Sequence, residues 1–143
     1  TKTSENFKIV KNEIIEFINN KIASENKNKK YKDYYKNFER MVEMENGTLS
    51  EKINYCFKLY KEIIDSDKIY YEEVYNLSEL KYSIIANEFA HKRNDIAHGN
   101  ELKPFTDVQL IAYRLVEKVS YCLLLQKAGF ELDKINEIVN KIL

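Results

Sequence analysis

Turn-forming residues are scarce in this chain, and that scarcity constrains its fold more than any other feature: 3 Gly and 1 Pro serve 143 residues. Tight reversals draw on Gly for positive φ and on Pro for a fixed one, so this supply does not suit the many turns of a β-sandwich or barrel. It suits a few long helices. The length fits one domain over residues 1–143, able to bury roughly 70% of its unfolded surface without a disulfide or metal. Hydrophobic residues make up 44% and 23 Lys+Arg balance 23 Asp+Glu, a composition that argues against disorder. Zero net charge speaks against attachment to nucleic acid by bulk charge and leaves a local basic face open.

Cys56 and Cys122 lie in apolar stretches without CxxC spacing, the pattern of buried free thiols in a reducing compartment. No apolar run approaches the roughly 20 residues that span a bilayer, and no signal-peptide pattern opens the chain. A cytoplasmic protein with no membrane partner is expected. Thr1 stands where a Met would start a complete protein, which allows for a longer parent.

Apolar residues recur at helical steps along most of the sequence. Ser4 is read as the N-cap of a first helix to about residue 23, with Phe7, Val10, Ile14, Phe17 and Ile18 on one face. A polar stretch over residues 24–30 separates it from a second, through Tyr31, Tyr34, Tyr35, Phe38, Met41 and Val42, which Asn46 and Gly47 end. Thr48 and Glu51 have capping-box spacing and open a third, carrying Leu49, Ile53, Cys56, Phe57, Tyr60 and Ile64. Residues 65–77 read as a loop or short helix. Ser78 is read as the N-cap of a fourth helix, roughly 30 Å long, that Gly99 stops after His98. A loop over residues 100–105 follows. Thr106 and Gln109 cap a long apolar helix to Gly129, and a short amphipathic helix with Ile135, Ile138, Val139 and Ile142 closes the chain. The fold class is all-α, a bundle of four to five main helices with a short accessory helix.

A helical bundle does not specify a function, which has to come from a site. The chemistry concentrates in Phe89-Ala90-His91-Lys92-Arg93-Asn94-Asp95-Ile96-Ala97-His98-Gly99. Arg93 is a permanent cation with five donors, and the His98 imidazole can exchange protons near neutrality. Asn94 and His98 stand at i and i+4 on one helix face, so the amide is placed to orient a ring nitrogen. Arg93 lies about 140° round the helix from His98 and flanks that face. Ile96 and Ala97 are read as the core-facing side. One chain offers one Arg and one His, whereas two copies about a twofold axis would gather two of each around one cleft. Metal-free RNA cleavage needs a base for the ribose 2′-OH, an acid for the 5′-oxygen and positive charge for the transition state, and such a cleft provides all three.

Arg93-Asn94-Asp95-Ile96-Ala97-His98 resembles the R-x4-6-H signature of the HEPN superfamily, in the form with Asn directly after the Arg, and Gly99 is also typical of it. The long helices before and after the motif are compatible with a HEPN-like bundle. The resemblance implies a metal-independent endoribonuclease, without cofactor, that cleaves single-stranded RNA by 2′-OH attack at a site shared by a homodimer, often in toxin–antitoxin or antiphage defence. By position it implies His98 as the catalytic acid or base, Arg93 as the phosphate ligand and Asn94 as the orienting residue. The superfamily also holds non-catalytic modules that bind nucleotides or proteins, an antitoxin or defence protein among them, and that alternative stays open.

Further readings surround the motif. Glu88 and His91 have the E-x-x-H spacing of di-iron bundles, but His91 and His98 are the two histidines of the chain and a second such pair cannot form. His91 is read instead as a surface residue near the RNA path, with Lys92 beside it. A metal-dependent site from Glu88, Asp95 and Glu101 lacks a recognised spacing, and no metal is expected. Lys27, Lys29, Lys30, Lys32 and Lys36 face a single acid, Asp33, and interleave with Tyr31, Tyr34 and Tyr35. Cations and aromatic faces together suit single-stranded RNA, with Lys29, Lys30, Tyr31 and Lys32 as contacts. The same stretch also reads as a solvated loop leading into a helix with inward tyrosines. Glu62, Asp65, Asp67, Glu72, Glu73 and Glu79 surround one cation, Lys68, a segment expected to repel RNA or attract a basic partner. Tyr82, Tyr113 and Tyr121 are read as core or interface aromatics.

Overall fold

A computed structural model describes residues 2–24, 29–45, 47–101 and 103–142. Among these residues all regular structure is α-helical. The helices fall into two compact units, Thr1–Gly47 and Thr48–Leu143.

The first unit is a hairpin of α1 (Lys2–Ser24) and α2 (Lys29–Met44). Lys11, near the middle of α1, donates its ammonium to the carbonyl of Glu43 at 2.8 Å near the end of α2, and the short connection between the helices turns the chain back into an antiparallel pair. α1 starts at Lys2, so Ser4 lies in its first turn and is not its N-cap. Of the face expected to be apolar and inward, Ile18 is buried and Phe7 half-buried, whereas Val10, Ile14 and Phe17 are exposed. The inward stripe is instead Phe7, Lys11, Ile15 and Ile18, three apolar residues and one lysine. In α2, Tyr35, Glu39 and Val42 are half-buried and Tyr34, Phe38 and Met41 exposed. Asn46, expected to end this helix, lies outside the described residues.

The second unit holds α3 (Leu49–Leu59), α4 (Lys61–Val74), α5 (Tyr82–Ala97), α6 (Asp107–Lys127) and α7 (Leu132–Ile142). α6 is its centre, packed against the other four. Ile111, Ala112, Leu115, Val119 and Cys122 of α6 meet Phe57, Ile64, Ile85, Ala86, Ile135 and Val139 in a core from which solvent is excluded. Both capping boxes form: Thr48 with Glu51 and Thr106 with Gln109 exchange side-chain and main-chain hydrogen bonds at the starts of α3 and α6. Each satisfies main-chain N–H groups that the first turn leaves without a helical partner.

The expected third helix is two. The backbone breaks at Tyr60 (φ −111°, ψ 21°), whose N–H closes α3 on Cys56 and whose carbonyl accepts from Ile63 and Ile64 at the start of α4. Its ring is fully buried and its hydroxyl donates to Gln126 of α6. Apolar residues keep helical spacing straight through the break, so periodicity cannot reveal it.

Residues after Asp65, expected to form a loop or a short helix, continue α4 to Val74. Their acids are satisfied by partners distant in sequence or one turn away. Glu72 pairs with Lys68 in a nearly buried salt bridge, Asp67 with Lys118 of α6, and Asp65 accepts from Lys61 and from the Tyr82 hydroxyl of α5. Three of the six acids of this segment, Asp65, Asp67 and Glu72, are thus paired within the unit. α4 ends in a Schellman turn, with Asn76 at φ 53° and the N–H of Leu77 on the Glu72 carbonyl at 2.8 Å. The turn and a bond from the Leu80 N–H to the Glu72 carboxylate hold residues 76–80 out of the helix. α5 therefore begins at Tyr82 behind Lys81, not behind Ser78, and its 16 residues run about 24 Å. α5 and α6 end in the same turn type, with Gly99 (φ 65°) and Gly129 (φ 96°) taking the left-handed position.

Candidate functional site

The motif residues occupy the last turn of α5 and its exit. Arg93 and Asn94 sit within the helix and His98 is its C-cap, with φ −93° and ψ 3°. All three side chains are exposed. The His98 N–H donates to the Asn94 carbonyl at 2.9 Å, so the main chain fixes the spacing of these two residues. Asn94 spends its side-chain oxygen on Arg93, whose Nη1 donates to Oδ1 at 3.5 Å. The guanidinium thus lies beside the Asn94 amide, and no side-chain bond runs from Asn94 to the imidazole. His91 is exposed on the same stripe, three residues before Asn94 and seven before His98.

The exit from the site is braced on both sides. Asn100 donates its N–H to the Asp95 carbonyl at 3.0 Å and its side-chain amide to the Asp95 carboxylate at 3.2 Å. Lys92, expected on the RNA surface, is instead buried: its ammonium donates to the Lys103 carbonyl and lies 4.6 Å above the centre of the Phe105 ring. Phe105 stacks edge-on against Tyr113, and Tyr113 against Phe89, with ring centres 5.1 and 4.6 Å apart. A cation placed this way has exchanged water for a carbonyl and a ring face, and it fixes the loop that follows the motif. Nothing in its own sequence neighbourhood separates it from an exposed lysine.

Ile96 and Ala97 do not face the core. Ile96 falls in phase with Ile85 and Phe89, yet it is 48% exposed, because beyond Lys92 no residue of α5 is buried. An apolar side chain therefore lies in the open beside the polar trio.

Glu88, of the E-x-x-H pair, accepts from the Gln109 amide at 3.2 Å, and His91 is exposed. Among the described residues no three His, Cys, Asp or Glu side chains gather as a metal-binding group. In the basic stretch Lys29 is exposed and Lys32 half-buried; Lys27 and the side chains of Lys30 and Tyr31 lie outside what is described. Tyr82 packs on Phe57 at 5.4 Å and Tyr113 in the aromatic cluster above, whereas Tyr121 is exposed. Both cysteines are buried and free, and burial pushes the Cys122 thiol up to about 11. No described helix is long and apolar enough to cross a membrane.

The chain matches no protein-family model, no curated protein and no solved structure.

Proposed function

We propose that this chain is a metal-independent endoribonuclease of HEPN type, acting on single-stranded RNA as a cytoplasmic homodimer in a toxin–antitoxin or antiphage defence setting. The grouping of Arg93, Asn94 and His98 on one exposed helix end, with the guanidinium beside the Asn94 amide, supports the reading. One protomer supplies a guanidinium for the scissile phosphate and an imidazole for one proton transfer. Cleavage through the 2′-OH needs a second proton-transfer group, which the His98 of a second copy provides. The ribose 2′-oxygen attacks phosphorus, its proton passes to one imidazole, and the 5′-oxygen leaves with a proton from the other. The products are a 2′,3′-cyclic phosphate and a 5′-hydroxyl. Arg93 and its counterpart stabilise the charge that builds on the non-bridging oxygens. Single-stranded RNA is favoured because in-line attack needs a backbone free to leave A-form geometry.

Incubation of labelled single-stranded RNA with the protein in EDTA tests this. Cleavage to cyclic-phosphate ends is expected, with loss in His98→Ala and in Arg93→Ala while helicity is retained. Cleavage that persists in His98→Ala overturns the mechanism. Exposed Ile96 beside the trio favours a second reading, a non-catalytic module that docks a nucleotide or a partner protein there; it predicts no cleavage by the wild-type chain and a partner affinity lost in Ile96→Asp but kept in His98→Ala.

A further inference from the structure

The α1–α2 hairpin exposes an apolar face that neither of its helices covers. On α1, Val10, Ile14 and Phe17 recur at steps of four and three; on α2, Tyr34, Phe38 and Met41 do the same. Their exposure is high for such side chains, 60% for Phe17, 53% for Phe38 and 68% for Met41. In each helix this strip precedes the inward stripe by about 90–130° of helical phase. Antiparallel helices run in opposite senses, so equal offsets in phase open to the same side of the pair. The two strips therefore form one surface.

The area of that surface fits a second copy of itself. Six half-exposed large side chains offer about 600 Å² per copy, so two such faces bury about 1,200 Å², where stable specific interfaces begin. A twofold axis across the hairpin lays α2 antiparallel to its copy.

We propose that the hairpin docks on the hairpin of a second copy, antiparallel about a twofold axis, so that α1 and α2 of two chains form a four-helix bundle. The association stands independently of the proposed cleavage chemistry. Sedimentation equilibrium of the full chain from about 1 to 100 μM tests it. The wild type is expected to be a dimer, and Phe38→Glu and Met41→Glu each to sediment as folded monomers, at least tenfold weaker in association. Phe17→Gln with Phe38→Gln provides the same loss with no added charge should a glutamate unfold the hairpin. Leu124→Glu, at an exposed apolar residue of the second unit, should leave the dimer intact. A monomeric wild type, or a dimer that tolerates the hairpin substitutions and is lost in Leu124→Glu, overturns the proposal. A dimer that tolerates them and still cleaves RNA overturns the hairpin contact alone and leaves the shared site standing.

Discussion

Lys92 donates its ammonium to the main-chain carbonyl of Lys103, across the turn that carries the chain out of α5. This bond, with the Phe105 ring above it, helps to tie the segment after the motif to the core. Lys92→Met keeps the buried stem and removes the charge. It is expected to cost about 1.5–3 kcal/mol, the range for hydrogen bonds to charged groups, in urea unfolding at neutral pH. Amide exchange over residues 100–106 should accelerate more than in α6. An unchanged midpoint would show that the bond contributes nothing net.

Gly99 stands at φ 65° with open space where a Cβ would go. Substitution there meets no clash, so its cost is the backbone conformation alone. Gly99→Ala is expected to destabilise by about 1–2 kcal/mol, and Gly99→Asn by less, since Asn tolerates the left-handed region. Thermal unfolding of the two variants side by side measures the difference.

Asp65 and Tyr82 share a hydrogen bond and titrate in opposite directions. Burial pushes the Asp65 carboxyl up, but the hydrogen bonds from Lys61 and Tyr82 and the charges of Lys61 and Lys68 outweigh it and hold the group below its ordinary range. Its contribution is present above the unfolded value near 4 and is lost as pH falls through the lower folded value. Burial, then the bond to Asp65, drives the Tyr82 hydroxyl well above its ordinary range. Its contribution is complete below about pH 10 and declines as pH rises beyond that. Stability followed from pH 2 to 11 should fall at both ends, with Asp65→Asn flattening the acid limb and Tyr82→Phe the alkaline one.

Ile85 and Ile96 lie on one side of α5 by phase, at 0% and 48% exposure. Ile85→Ala should cost about 2–5 kcal/mol as a core truncation. Ile96→Asp should stay within about 0.5 kcal/mol of wild type. Comparable losses in both would place Ile96 in the core after all.

Features decided by close neighbours along the chain are legible in the sequence. The capping boxes at Thr48 and Thr106 and the glycine stops at Gly99 and Gly129 depend on four to six consecutive residues, and all form. The break at Tyr60 is not legible, because apolar spacing runs straight through it and its buried hydroxyl finds its partner in Gln126, 66 residues away. The acidic segment reads as a loop or short helix, and its continuation of α4 is hidden because Asp67 finds its cation in Lys118, 51 residues on. Within the candidate site the identities of Arg93, Asn94 and His98 are legible and the burial of Lys92 is not, since Lys103 and Phe105 decide it. The outward face of the hairpin inverts the usual rule. Spacing puts Val10, Ile14 and Phe17 on one strip, but within the hairpin α1 buries a different side, that of Ile18.

The placement of His98 at the C-cap bears on how this protein can change over generations. Along α5 the buried side ends at Lys92, and Arg93, Asn94 and His98 lie past it in solvent. Substitutions at Arg93, Asn94 or His98 therefore draw little on the folding free energy, and variants there are filtered by what the site does and hardly at all by whether the chain folds. Such a position is free to gain, lose or retarget an activity while the helices beneath it stay the same.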